Sequence, residues 1–155
     1  LPSAVQPCQI GAMEDAKIER RAGVQATSDR LWELVSDLPG WNRWNPHETD
    51  VEGAIAFGGQ LTITEAFPGQ GERRAAARVA EWRPYVRLVW TENRGFLFRT
   101  LRYIDIEELE KGRCIVSSGH KFAGLRGELF HDKHRNALRE AHQAIVDGLK
   151  AAAEG

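Results

Sequence analysis

Five polar side chains stand in phase with apolar neighbours, and their types are those of proton transfer and anion recognition. In the segment 96–108, Phe98, Ile104 and Ile106 share one parity with Thr100 and Arg102, so a strand there turns Arg102 inward. In 113–122, Cys114, Val116, Ser118, His120 and Phe122 alternate with Ile115, Ser117, Gly119 and Lys121, and the large aromatic against the charged Lys121 turns His120 inward as well. His134 falls on a helical stripe with Phe130, Leu138, Ala141, Ile145 and Leu149, while Glu65 and Glu92 sit near the ends of apolar alternations through Leu61–Phe67 and Val86–Trp90. A buried guanidinium needs a carboxylate, ordered water or an anionic ligand group. Glu65 or Glu92 is the expected carboxylate.

Two chemistries suit that set. Arg102 can mark the polar end of an apolar pocket for a small molecule. It can also polarise a ketone or enolate oxygen while His120 or His134 moves the proton, giving an aldol-type cyclisation or a dehydration. Arg102, His120 and His134 are then the catalytic candidates. The ligand-binding candidates are Trp44, Asn45, Glu65, Trp90, Glu92, Phe98, Arg102, His120, Phe122 and His134, with the aromatic members supplying stacking surface. The same residues also fit a structural ion pair with two hydrogen-bonded histidines lining a wet cavity.

Other chemistries find little support. Glu128, His131 and His134 repeat at helical spacing but form only half of a carboxylate di-iron pattern, so no metal is expected. Gly69-Gln70-Gly71 lacks the third glycine and the following helix of a dinucleotide loop, and no nucleophile elbow, His-Glu-x-x-His or Cys-x-x-Cys occurs. No cofactor is implied.

These side chains need elements to carry them. The alternation in 17–26 predicts a strand; Thr27 or Ser28 caps a helix through Leu31, Leu34, Val35 and Leu38 that Pro39-Gly40 stops. Trp41–Pro46 reads as a short helical turn, its two tryptophans packing in the core or a lid, or gating a ligand mouth. Strands are then expected at 49–55, 60–67, 72–82, 85–92, 96–108 and 113–122, divided by Gly- and Pro-rich turns, and an amphipathic helix at 125–153. Arg74, Arg78, Arg87, Arg99 and Tyr103 take the opposite parity, a solvated outer sheet face. Strands in meander order with helices on one face make an α+β fold.

Length and composition bound the partners. The 155 residues suit one domain, read as 17–154. Residues 1–16 read as an N-terminal extension or expression remnant, with Met13 a candidate natural start. With 21 basic and 22 acidic residues the net charge is −1, which disfavours a nucleic-acid partner. No apolar run is long enough for stable membrane insertion, and two cysteines, Cys8 and Cys114, are too few for a disulfide scaffold. A cytoplasmic setting is expected; the oligomeric state is left open.

Leu31-Trp32 and Ser36-Asp37 in the first helix, the Trp44-Asn45-Pro46 turn, Gly59 with Leu61, Leu88-Val89-Trp90, and Phe122-Ala123-Gly124 before the last helix occur in an order that resembles the START-like, helix-grip superfamily, in its bacterial polyketide cyclase/dehydrase-like branch. The resemblance implies a curved seven-stranded antiparallel sheet wrapped around a long C-terminal helix, two short helices after the first strand, and an apolar cavity between sheet and helix. It implies a carrier, sensor or storage protein for a hydrophobic or aromatic small molecule. A cyclase/dehydratase-type enzyme is the first alternative, and a protein-interaction domain like the chaperone-activating relatives the second. Fold alone does not choose among them.

Overall fold

A computed structural model describes residues 16–155. The expectations for residues 1–15, including Met13 and Cys8, lie outside the described residues. The strands are β1 (Lys17–Val24), β2 (Glu48–Gly53), β3 (Gln60–Glu65), β4 (Arg73–Arg83), β5 (Arg87–Asn93), β6 (Arg99–Glu110) and β7 (Arg113–Ala123); the helices are α1 (Ser28–Ser36), a 3-10 segment (Leu38–Arg43) and α2 (Leu125–Glu154). All seven strands form one antiparallel sheet in the order β1-β7-β6-β5-β4-β3-β2, so each hairpin places successive strands side by side and β1 closes onto the last. The α+β helix-grip architecture follows as expected. Boundaries differ by a few residues: Phe98 precedes β6 and Phe67 follows β3, each in the loop that caps its strand.

Local chemistry accounts for the helix starts. Thr27 Oγ1 accepts from the Arg30 N–H 3.1 Å away and caps α1, whose Leu31 and Val35 are fully buried. The 3-10 segment begins with Pro39 in its first turn and buries Trp41, whose Nε1 donates to the Val35 carbonyl at 2.9 Å. Trp41 packs between Trp44 and Trp90, with centroids 5.6 and 5.5 Å away, so both tryptophans of this turn are core.

α2 crosses the concave face. Its buried residues are Gly127, His131, Leu138, Ala141, His142, Ile145, Val146 and Leu149. Leu138, Ala141, Ile145 and Leu149 are buried as expected, but the first turns are rotated: His131 is inside, and Phe130 and His134 are only half-buried. Gly148 lets the helix rest on the chain at Trp44, where a Cβ would fall well inside van der Waals contact with the Trp44 carbonyl oxygen. Gly148→Ala is therefore expected to cost about 1–3 kcal/mol despite the better helix propensity of alanine, a fall in Tm of roughly 2–12 °C by differential scanning calorimetry.

The outer face corrects one expectation. Arg74, Arg78 and Arg99 are exposed, but Tyr103 is 2% exposed. Its ring fills the hollow left by Gly119, its cross-strand partner, and its hydroxyl donates to Glu19. Burial and that acceptor push the phenol well above its ordinary value. The outward parity is as expected, but the missing Gly119 side chain removes the solvent from this position.

Candidate functional site

The curl of the sheet is fixed by an ion pair. Arg102 on β6 meets Glu48 on β2, with Nη2 donating to Oε1 at 2.7 Å and Nε to Oε2 at 3.1 Å. β2 lies four strands from β6, roughly 19 Å on a flat sheet. No arginine and glutamate span that distance while standing upright on a plane, so the sheet must fold over to bring them together. Arg102 Nη1 donates to the Tyr103 and Gly119 carbonyls, and the guanidinium carbon lies 5.0 Å from the Trp90 ring centroid. Asn45 completes the cluster: its amide donates to Glu48 Oε1, and its oxygen accepts from the backbone N–H groups of His47 and Glu48.

This arrangement corrects the expected partner of Arg102. Glu65 and Glu92 do not reach it. Both bind Arg73 on β4, at 2.7 Å and 2.6 Å. All three nitrogens of Arg102 are engaged by protein groups, which leaves it no role in polarising a ligand carbonyl in this conformation.

Where an apolar cavity was expected between sheet and helix, rings are packed. His120 sits 5.0 Å from Phe122 and 5.7 Å from Phe67, and Phe122 lies 5.6 Å from Phe130. Phe98 contacts Phe130 at 5.1 Å. His120 is not joined by His134. Its partner is His142, one helical turn beyond Leu138: His120 Nδ1 and His142 Nε2 are 3.1 Å apart, and His142 Nδ1 is 2.7 Å from Ser118 Oγ. Burial first, then the Arg102 charge, holds both imidazoles well below their ordinary value. Neutral, they form a short relay in which either every proton points toward Ser118 or every one points toward His120.

An opening lies at the end of this ring cluster. A cleft of about 210 Å³ is lined by Glu65, Phe67, Gln70, Arg73, Arg94, Phe130, Lys133 and His134, with Gly69 and Gly71 in its rim. The Phe67 ring is shared: one side borders the cleft, and its neighbours at 5.7 and 6.0 Å are His120 and His142. Burial, then the nearby Glu48 carboxylate, raises Glu65 to about 7 against the opposing pull of Arg73. Burial, then Lys133 and Arg94, lowers His134. Glu65 thus titrates near neutrality in a cleft with aromatic walls. Larger depressions occur outside the sheet, but the one of about 450 Å³ beside Arg21, Arg113 and Lys150 has those cations engaged by Glu107, Glu110 and Glu154.

The fold is matched by a family model. The model for polyketide cyclase / dehydrase and lipid transport proteins covers residues 15–154. The chain belongs to this family. No curated protein sequence matches it. Among solved structures, it is similar to the ZhuI aromatase/cyclase from Streptomyces sp. R1128, at 16% identity and TM-score 0.70 over 89% of this chain and 93% of that one. It is similar to the di-domain ARO/CYC BexL from the BE-7585A biosynthetic pathway, at 17% identity and TM-score 0.68 over 89% of this chain, and spans only 46% of that protein. Norcoclaurine synthase from Thalictrum flavum is similar at 13% identity and TM-score 0.65, over 88% of this chain and 92% of that one. At these identities the likeness is one of fold.

Within this family member the sequence-derived candidates divide. Glu65 and His134 line the cleft; Glu92 stands behind it on Arg73; Phe98, Phe122 and His120 form the ring cluster. Trp44, Asn45, Trp90 and Arg102 belong to the buried core around Glu48. Sequence reasoning missed Arg73, which shares the parity of Ala75, Ala77 and Val79, and Glu48, one residue before the expected start of β2. It missed His142, in phase with His131 and Leu138, and Arg94, set in a turn read only for its hairpin chemistry.

Proposed function

We propose that this protein binds a hydrophobic or aromatic small molecule through the cleft between the β3–β4 loop, the β5–β6 loop and α2, in a carrier, sensor or storage role. The observation that carries this reading is a concave site with aromatic walls, Phe67 and Phe130, and a few convergent polar groups at the open end of the sheet. At about 210 Å³ the cleft falls below the roughly 300–1,000 Å³ of drug-sized sites, which suits a ligand of one or two rings. Displacement of Phe67 would extend it toward the His120–His142 pair. No described helix is long and apolar enough to cross a membrane, and the low cysteine content accords with the cytoplasm. Native mass spectrometry of the protein from its own host should reveal a copurified small molecule, with retention at least about tenfold lower in Phe130→Ala. Absence of any adduct, together with no response of the Phe67 and Phe130 resonances to naphthalene or 2-naphthol, would overturn the reading.

A cyclase/dehydratase-type activity is the second reading, and Glu65 is what favours it. A carboxyl that titrates at about 7 beside Arg73 can both donate and accept a proton at neutral pH. A recovered ligand that is converted on incubation would support this reading, with Glu65→Gln expected to lower the rate by about 100-fold or more, on the order of a lost acid–base group. A ligand recovered unchanged supports carriage.

A further inference from the structure

The charges of the cleft do not cancel. Arg73 is held by two carboxylates, with bonds of 2.6–2.7 Å to Glu65 and Glu92. Arg94 has no such partner. Among the described residues its guanidinium makes no hydrogen bond and has no carboxylate oxygen within 4.0 Å; it is half-buried between rings, 4.7 Å from the Phe98 centroid and 4.9 Å from that of Phe130. Lys133 lines the same cleft without an ion-pair partner among the described residues. Gln70 lines it too, and its Nε2 is a buried donor that finds no acceptor among the described residues. A half-buried cation without a carboxylate partner gains from any ligand that brings one.

We infer that this cleft holds the carboxylate of a small aromatic or alkyl carboxylic acid, with Arg94, Lys133 and the Gln70 amide as donors and Phe67 and Phe130 against the apolar body. The inference rests on the small-molecule reading above and names its ligand class. With Glu65 ionised, above about pH 7, three cations face two carboxylates here, so one negative charge balances the site. There a dianion such as a phosphate monoester is repelled by Glu92 and by the ionised Glu65. The Phe98 and Phe130 rings flank the Arg94 guanidinium, a setting that suits a cation and leaves its in-plane donors for a carboxylate.

Isothermal titration calorimetry of the full chain at pH 8.5, where Glu65 is ionised, with 2-naphthoate, 2-naphthamide and 2-naphthyl phosphate tests this. The carboxylate should bind at least about tenfold more tightly than the amide, as expected of a charge-assisted contact, and more tightly than the phosphate. Arg94→Met keeps an apolar stem between the two phenyl rings and should erase the preference; Arg78→Met on the outer face should leave it intact. Should Arg94→Met fail to fold, Lys133→Met, on an exposed turn of α2, should narrow the gap several-fold. Equal affinity for naphthoate and naphthamide, or a gap unchanged in both cleft variants, overturns the carboxylate site and leaves the small-molecule reading standing. Tightest binding of the phosphate overturns the assigned class. Binding of none of the three overturns the site as drawn, and the small-molecule reading is then decided separately by mass spectrometry.

Discussion

Arg102→Met lowers the stability of the domain by about 3–5 kcal/mol, because it strands Glu48 in a place with no solvent. The two partners are 2% and 0% exposed, and the carboxylate keeps only the Asn45 amide when the guanidinium goes. The corresponding fall in Tm is roughly 6–20 °C. Removing both charges in Glu48→Leu/Arg102→Met should restore most of the loss, since desolvating the pair opposes much of its attraction. Urea unfolding of the natural chain, Arg102→Met, Glu48→Leu and the double variant at pH 7 provides the check; an Arg102→Met loss below about 1 kcal/mol would mean that water reaches Glu48. A weakened ligand affinity in Arg102→Ala would therefore report a damaged fold before it reported a lost contact.

Acid should destabilise the protein through His120 and His142. Unfolded imidazoles take up protons below about pH 6.5, whereas the folded pair, depressed by burial and by Arg102, does not until much lower pH. The unfolded state then binds more protons, so this contribution is complete above pH 6.5 and is lost as pH falls, at about 1.4 kcal/mol per unit for each proton. Glu65 works in the opposite sense: its value rises from 4.5 unfolded to about 7 folded, so its contribution is complete below pH 4.5 and fades as pH climbs toward 7. Between pH 4.5 and 6.5 one carboxyl offsets one of two imidazoles. The net slope from these three groups should approach about 1.4 kcal/mol per pH unit in the natural chain, rise by about as much again in Glu65→Gln, and fall by about as much in His142→Phe. Urea midpoints at half-unit pH intervals measure it; a flat profile in Glu65→Gln would show that the pair accepts charge without cost.

The fold was legible because strands alternate and turns are chemically marked. The parity of 98, 102, 104 and 106 turned Arg102 inward, and that of 114 through 122 did the same for His120. What escaped was mostly pairing across the sheet's interior. Glu48 and Arg102 are 54 residues apart and come from strands separated by three others, so no local pattern couples them. β2 also hides its phase, with a register shift between Thr49 and Glu52 and a left-handed backbone at Asp50, φ 49°. On α2 the expected stripe holds from Leu138 to Leu149 and is rotated only before it, where His131 rather than Phe130 and His134 turns inward. Half-buried aromatics at the mouth drew the stripe toward themselves. The cleft escaped because most of its lining comes from loops and strand ends, where periodicity carries no information.

The depth of burial along α2 is uneven. Six of its eight buried residues lie between Leu138 and Leu149, where Gly148 meets Trp44, while only Gly127 and His131 are buried before them. The C-terminal end is also tied to β1, through Lys150 to the Gly23 carbonyl and Glu154 to the Gln25 N–H. Phe130, Lys133 and His134 ride on the other, loosely held half. Amide exchange should therefore be fast at one end of a single unbroken helix and slow at the other. The protein can fray the turns that border its cleft without drawing down its global stability, so the passage of a ligand and the persistence of the fold depend on different parts of the same element.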